Sequence, residues 1–177
     1  MLLIIQFLIV GFSVVLSSSW SLYSDALVRK DYNWIKANLK KMNLMFLGIV
    51  SIGFLLYFFI HPILNIWVGE NTVILPKGLV FYNLIYSLIF SFTNTYMFFI
   101  NATGQIKLQM YLYLLGALVN IPLSIYFVNL FETSTGVILS TILCTLPLLF
   151  AMPIQAMVIL RKLDAKNEVY LNEKTKC

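Results

Sequence analysis

The sequence predicts an all-α membrane protein, a polytopic bundle of five transmembrane helices, and three observations support this prediction. Hydrophobic residues make up 60% of the 177 residues and charged residues only 11%, whereas a soluble domain carries about 25% charged residues. The apolar residues form five long runs, and Lys and Arg gather at alternate ends of these runs. The bilayer must therefore act as part of the solvent for this chain.

Each apolar run is long enough to cross the hydrocarbon core as a helix, which takes about 20 residues. The runs contain no Asp, Glu, Lys or Arg, and they lack the alternation of polar and apolar residues that marks the strands of a membrane barrel. Gly104 follows the third run, where a glycine commonly ends a helix. We therefore predict transmembrane helices at residues 2–23, 44–67, 78–102, 108–131 and 136–160.

The basic residues predict the orientation. Eleven of the twelve Lys and Arg residues lie between the first two helices, in the turn after the third helix or beyond the fifth, and only Lys77 lies on the other side. Because basic residues favour cytoplasmic loops, these segments and the C-terminus are predicted to be cytoplasmic, and the N-terminus of this chain is predicted to lie outside. The net charge of +5 thus reflects topology and attraction to membrane lipids, and it requires no nucleic-acid partner.

Residues 1–177 form a single membrane domain in this interpretation, with a cytoplasmic interfacial segment at 25–43 and a cytoplasmic tail at 161–177. Asp31 is expected to cap a helix that reaches Lys41. This helix either lies in the membrane interface or extends the second span into water. In the first arrangement, the side chains that face lipid are Trp34, Ile35 and Leu39.

The first predicted helix begins at Leu2 with no basic flank, and five spans leave the N-terminus outside. This segment does not resemble a cleaved signal peptide, because it lacks a basic n-region and a small-residue cleavage site and is too long. We therefore expect the chain to be the C-terminal piece of a longer transporter. Its partner would be a missing N-terminal lobe or a complementary chain.

Polar residues inside the predicted spans fall on narrow arcs of the helices. An unpaired amide in hydrocarbon costs several kcal/mol, so these stripes face other helices or a wet cavity. They either join helices, at about 0.6 kcal/mol per hydrogen bond, or line a path for a polar substrate. The second helix has no amide stripe and is expected to be the most exposed to lipid. The candidates for the substrate path are Gln6, Asn83, Ser87, Asn94, Asn101 and Asn120.

Signatures of enzymes and of metal sites are missing from the sequence. His61 is the only histidine and has no Cys or second His nearby, which argues against a metal site. No base is placed to activate a serine, and there is no P-loop or dinucleotide-binding turn. Cys144 and Cys177 are predicted to lie at different depths as unpaired thiols. We therefore predict no enzymatic activity and no cofactor or metal.

Several stretches together resemble a known family over nearly the whole chain. Their sequences are WSLYSDA at 20–26, RKDYNWIK at 29–36, IWVG at 66–69, INATGQIKLQ at 100–109, ALVNIPLS at 117–124 and GVILST at 136–141. In order and spacing they resemble the last five helices of polysaccharide biosynthesis proteins, the flippases of O-antigen or teichoic-acid type. These belong to the multidrug/oligosaccharidyl-lipid/polysaccharide exporter superfamily. The resemblance implies most of one six-helix lobe of a twelve-helix exporter in the bacterial inner (plasma) membrane.

The resemblance also implies a function and a partner. The intact protein would move a polyprenyl-linked oligosaccharide to the outer leaflet for cell-surface polysaccharide or lipopolysaccharide synthesis, as two lobes rock around a central cavity. The cationic cavity residues of the family have no matched position here, and the second lobe is missing, so this chain is expected to be inactive alone. The alternatives are a multidrug or ion-coupled exporter of the same superfamily, and a non-transporting membrane subunit.

Overall fold

A computed structural model describes residues 2–68 and 78–174, and every regular element within them is an α-helix. The all-α prediction is therefore confirmed for the described residues. Lys77 and Cys177, which the sequence predictions used, lie outside them. The helices are α1 (Leu2–Val28), α2 (Tyr32–Val68), α3 (Leu79–Thr103), α4 (Lys107–Phe131) and α5 (Thr135–Lys174).

Four of these helices contain stretches long and apolar enough to cross a membrane, which is compatible with a multi-pass membrane protein. α1 is not among them on the residues that the structure describes, so the first predicted span, at 2–23, stays a prediction. The four stretches are Tyr32–Ile60, Leu79–Thr103, Lys107–Phe131 and Thr135–Ala165.

α3 and α4 match the predicted bounds to within one residue, and α3 ends at the predicted glycine cap. Gly104 follows α3 with φ 73°, a left-handed conformation that glycine adopts without strain, and its N–H donates to the carbonyl of Asn101 at 3.1 Å. Gly136 lies in the first turn of α5, beside α4, where a Cβ atom would lie 2.6 Å from the backbone of Phe127. The α4–α5 hairpin thus closes only with glycine at this position.

α2 begins where the sequence places its cap, because the Asp31 carboxylate accepts the backbone N–H of Trp34 at 3.0 Å. The helix then continues without a break through Lys41 into the apolar span. This continuity favours the arrangement in which the helix extends the second span. The prediction that Ile35 and Leu39 face lipid is wrong, since they are buried against α1, α3 and α5.

α5 is longer than predicted, running 40 residues to Lys174 rather than ending at 160. Charged residues end a membrane span, but they do not end a helix. Residues 160–166 (LRKLDAK) contain neither Gly nor Pro, so the helix continues through them. The first turns of α2 and the last turns of α5 meet beyond the charge-free runs at 44–67 and 136–160, where the ammonium of Lys36 lies 2.6 Å from the carboxylate of Asp164.

α3 is the central helix and packs against α1, α2 and α5, whereas α4 packs mainly along α5 and reaches α3 through a few side chains. In the most apolar part of α3, 50% of the residues are buried, against 11% in that of α2 and 0% in that of α4. In the chain alone α4 is thus more exposed than α2, and the prediction that the second helix is the most exposed to lipid stays a prediction. The reason is that α4 packs mainly on one neighbour, α5, whereas α2 packs on both α1 and α3.

Candidate functional site

A row of polar side chains runs along one face of α3 inside the bundle. Asn83, Ser87 and Ser91, spaced four residues apart, are exposed by only 5%, 1% and 1%. The Asn83 amide nitrogen and both serine hydroxyls are buried with no hydrogen-bond partner in the described structure. Burying an unpartnered polar group costs about 1–3 kcal/mol, so this row suits ordered water or a polar ligand. Sequence reasoning identified Asn83 and Ser87 but missed Ser91, although the same spacing marks it.

A second polar group joins α4 to α5. The Asn120 amide donates to the hydroxyl of Thr141 at 3.3 Å, and the Ser124 hydroxyl donates to the side-chain oxygen of Asn120 at 3.3 Å. Ser124 and Ser140 share a further hydrogen bond of 2.5 Å. The two helices approach each other closely here, as Gly116 shows: a Cβ atom added at this residue would lie 3.3 Å from a backbone carbonyl oxygen of α5. We call this contact the α4–α5 seam.

A cavity of about 230 Å³ opens beside the α4–α5 seam. It lies near Asn120, midway along the 25-residue α4. Tyr86 of α3 and Tyr113 of α4 contribute phenol rings to it, and the Tyr113 hydroxyl also donates to the sulfur of Met97 at 3.4 Å. We call it the α4–α5 cavity. Its walls are Tyr86, Leu112, Tyr113, Gly116, Ala117, Asn120, Thr141, Cys144, Thr145 and Leu148.

Every polar side chain lining the α4–α5 cavity is uncharged, and together they offer hydroxyl, phenol and amide groups. They can exchange hydrogen bonds with a neutral polar molecule, and the aromatic rings can pack on its apolar faces. Nothing in the lining forms an ion pair with an anionic or cationic ligand. Within residues 2–68 and 78–174, no cluster of His, Cys, Asp or Glu could hold a metal ion.

The remaining predicted residues do not converge on the α4–α5 cavity. Asn101 lies at the end of α3, where its side-chain oxygen accepts the amide of Gln109 at 2.6 Å and so ties the α3–α4 turn. Asn94 is half-buried on α3 and is not part of the cavity wall. Gln6 is half-buried on α1, which makes no contact with α4 in the described structure. Of the six predicted path residues, only Asn120 lines the cavity.

The serine stripe of α1 has a local explanation. This stripe contains Ser13, Ser17 and Ser24, whose hydroxyls donate to carbonyls three or four residues earlier in the same helix, at 2.8, 2.8 and 3.2 Å. Such back-bonding satisfies a hydroxyl inside its own helix, without a partner helix or a wet cavity. The α1 stripe therefore carries no separate indication of a substrate path.

Sequence reasoning missed Tyr86, Thr141 and Thr145 as site residues. Thr141 and Thr145 are four residues apart on α5, a spacing that places them on one helix face and could have identified them. Tyr86 is not part of the polar row of α3, and the packing of α3 beside α5 brings it to the cavity.

Comparison with protein-family models, with curated proteins and with solved structures finds no match to this chain.

Proposed function

We propose that this chain is part of a membrane flippase for a lipid-linked oligosaccharide. The α4–α5 cavity would form part of the wall of the path along which the sugar crosses the bacterial inner membrane. The observation that carries this proposal is the placement of uncharged hydrogen-bonding groups midway along an apolar helix, in a cavity open to the outside of the chain.

The energetic argument starts from Asn120 and Tyr113. Asn120 is half-buried and Tyr113 is 39% exposed, so neither is fully covered by this chain. Polar groups at this depth are costly when they face hydrocarbon, and they are therefore expected to meet water, substrate or another polar protein surface. A partner lobe opposite α4 and α5, from the same protein or from a complementary chain, would enclose that path.

The chemistry of the lining favours a carbohydrate. Sugar hydroxyls exchange hydrogen bonds with amides and hydroxyls such as those of Asn120 and Thr145, and the apolar face of a sugar ring packs on phenol rings. A polyprenyl tail would remain in the bilayer beside the outer surface of α4. That surface is strongly apolar, with Leu118, Ile121 and Ile125 exposed by 63%, 67% and 59%. The diphosphate would have to be bound by cationic groups of the partner lobe.

A second candidate function is export of a small, neutral, partly apolar compound by a multidrug exporter of the same superfamily. The apolar part of the lining favours it, since Leu112, Ala117 and Leu148 stand beside the two phenol rings. Both candidates use the same cavity and differ in the substrate that accumulates when it is blocked.

The proposal is tested by deleting the gene in its host and measuring surface polysaccharide and the lipid-linked oligosaccharide that remains on the cytoplasmic side. We expect surface polysaccharide to fall and the lipid-linked precursor to accumulate. The wild-type gene should restore export. A variant with Asn120→Ala and Thr145→Val should restore it poorly, and Leu118→Ala, on the lipid-facing side of α4, should restore it fully.

Unchanged surface polysaccharide after deletion would overturn the proposal. If the deletion instead made cells sensitive to neutral organic compounds, the multidrug exporter would be favoured. If neither phenotype appeared and the chain co-purified with a larger membrane protein, a non-transporting subunit would be the better interpretation.

A further inference from the structure

A groove of about 470 Å³ runs along the outward face of α2, far from the α4–α5 cavity. Its apolar floor is open, since Leu44 and Leu47 are 69% and 59% exposed. The opposite face of the same helix is closed, because Leu39 and Met42 are 6% and 5% exposed. We call this feature the α2 groove, and it is lined by Ala37, Lys40, Lys41, Asn43, Leu44 and Leu47.

The α2 groove changes from charged to apolar along the helix axis. Lys40 and Lys41 are the last charged residues before a stretch of α2, residues 42–68, that contains no Asp, Glu, Lys or Arg. Leu44 lies about one helical turn further on and Leu47 about two turns, at about 5.4 Å per turn. The two lysines therefore stand where a membrane helix leaves the hydrocarbon, and the leucines stand inside it.

The two ammonium groups are available for an anion. Lys36, one turn earlier, is paired with Asp164, whereas neither Lys40 nor Lys41 has a carboxylate within 4.0 Å among the described residues. Asn43 is largely engaged, because one N–H of its amide donates to the carbonyl of Leu39 at 3.0 Å and its oxygen accepts the Tyr96 hydroxyl at 3.1 Å, which leaves one uncharged N–H. An anion in the α2 groove would thus be held by the two lysines.

We propose that the α2 groove binds an anionic phospholipid of the cytoplasmic leaflet. Its headgroup phosphate would lie against Lys40 and Lys41, and an acyl chain would lie along Leu44 and Leu47. The order of charge and apolar surface along α2 matches the order of headgroup and acyl chain along the membrane normal. This inference is independent of the proposed transport function, because it uses neither the α4–α5 cavity nor the polar row of α3.

The test uses the full chain in nanodiscs made from equal amounts of phosphatidylglycerol and phosphatidylcholine, with the retained lipids counted by native mass spectrometry. Phosphatidylcholine also carries a phosphate but has no net charge, so it serves as the internal reference. We expect retained phosphatidylglycerol to exceed retained phosphatidylcholine. In the double variant K40Q/K41Q this preference should fall roughly 25-fold, at about fivefold for each basic residue near the surface.

The matched control is R161Q/K162Q, which removes two adjacent exposed cations of α5. These residues lie at the same predicted membrane face, and the control should keep the phosphatidylglycerol preference. An equal loss in both double variants would overturn the proposal, because it would show diffuse attraction rather than a site. No preference in the wild-type chain would overturn it as well. Helix content measured by circular dichroism should be equal in all three proteins, since the substituted side chains are exposed.

Discussion

The amide of Asn120 on α4 donates to the hydroxyl of Thr141 on α5 at 3.3 Å, and both side chains also line the α4–α5 cavity. The same pair therefore holds two helices together and presents polar groups to the open side of the chain. A substitution at either residue changes the attachment of α4 and the chemistry of the cavity at once. Stability and transport must be measured separately at this pair.

The contribution of the pair to stability should be small. A double-mutant cycle with Asn120→Ala and Thr141→Val should give a coupling free energy of about 0.6 kcal/mol, as is typical for side-chain hydrogen bonds between membrane helices. The measurement is reversible unfolding of the purified chain in mixed micelles. A coupling of about 2 kcal/mol or more would mean that the pair is a main attachment of α4, contrary to this account.

Gly116 should be sensitive to size because of its contact with α5. A Cβ atom there would lie 3.3 Å from the carbonyl oxygen of Cys144, so Gly116→Leu should push the helices apart and lower the free energy of unfolding by about 1–3 kcal/mol. Gly48→Leu is the matched control, since nothing lies within 4 Å of a Cβ atom at Gly48. Equal losses of thermal stability in the two variants would contradict the close approach at Gly116.

The ion pair between the extensions of α2 and α5 should respond to charge reversal. Lys36 and Asp164 lie 2.6 Å apart, with side chains 47% and 33% exposed, so the pair is worth about 0.2–1 kcal/mol. Lys36→Glu should lower the melting temperature at low salt, and adding Asp164→Lys should restore it. The effect should shrink at about 1 M salt, where charges are screened beyond roughly 3 Å. A double variant no more stable than Lys36→Glu alone would show that the two residues are not paired.

The fold was predictable because its main determinant, a charge-free apolar run, is local. Such a run fixes where a helix enters the membrane, and the bounds of α3 and α4 follow from it. The ends of α2 and α5 were not predictable in this way, since good helix formers continue past Lys41 and Leu160. The continuation of α2 also decides the position of Ile35. A separate interfacial helix would turn this side chain toward lipid, whereas the continuous α2 buries it against three other helices.

The candidate site was predictable only in part, because a polar stripe shows which side of a helix is polar but not which helix or cavity that side faces. Periodicity correctly placed Asn120 on a protein-facing side of α4. It could not show that Gln6 lies on a helix that does not contact α4, nor that the α1 serines bond to their own backbone. Tyr86 reached the site through packing alone.

The orientation predicted from the basic residues is testable at the two ends of α4. A cysteine replacing Glu132 should react with a membrane-impermeant maleimide in intact cells, because that end is predicted to lie outside. A cysteine replacing Lys107 should react only after the cells are opened. The background for both is the chain with Cys144→Ala and Cys177→Ser. Labelling in the reverse order would invert the predicted topology.

The central claim is that the α4–α5 cavity is wet rather than a dry contact between helices. Cys144 provides a natural probe, because it is a free, half-buried thiol in the cavity wall. Thiols react with polar reagents as thiolates, which form in water and not in hydrocarbon. Two variants are compared. The first keeps Cys144 and carries Cys177→Ser, and the second carries Leu118→Cys and lacks both natural cysteines.

The decisive measurement is the rate at which each thiol reacts with a small hydrophilic maleimide when the chain is assembled in its native membrane. The account predicts that Cys144 reacts, and that the lipid-facing Leu118→Cys, at a position 63% exposed on α4, stays unmodified. If Cys144 proved as protected as Leu118→Cys, the polar groups of α4 and α5 would serve only to join the helices, and the proposed substrate path would be contradicted.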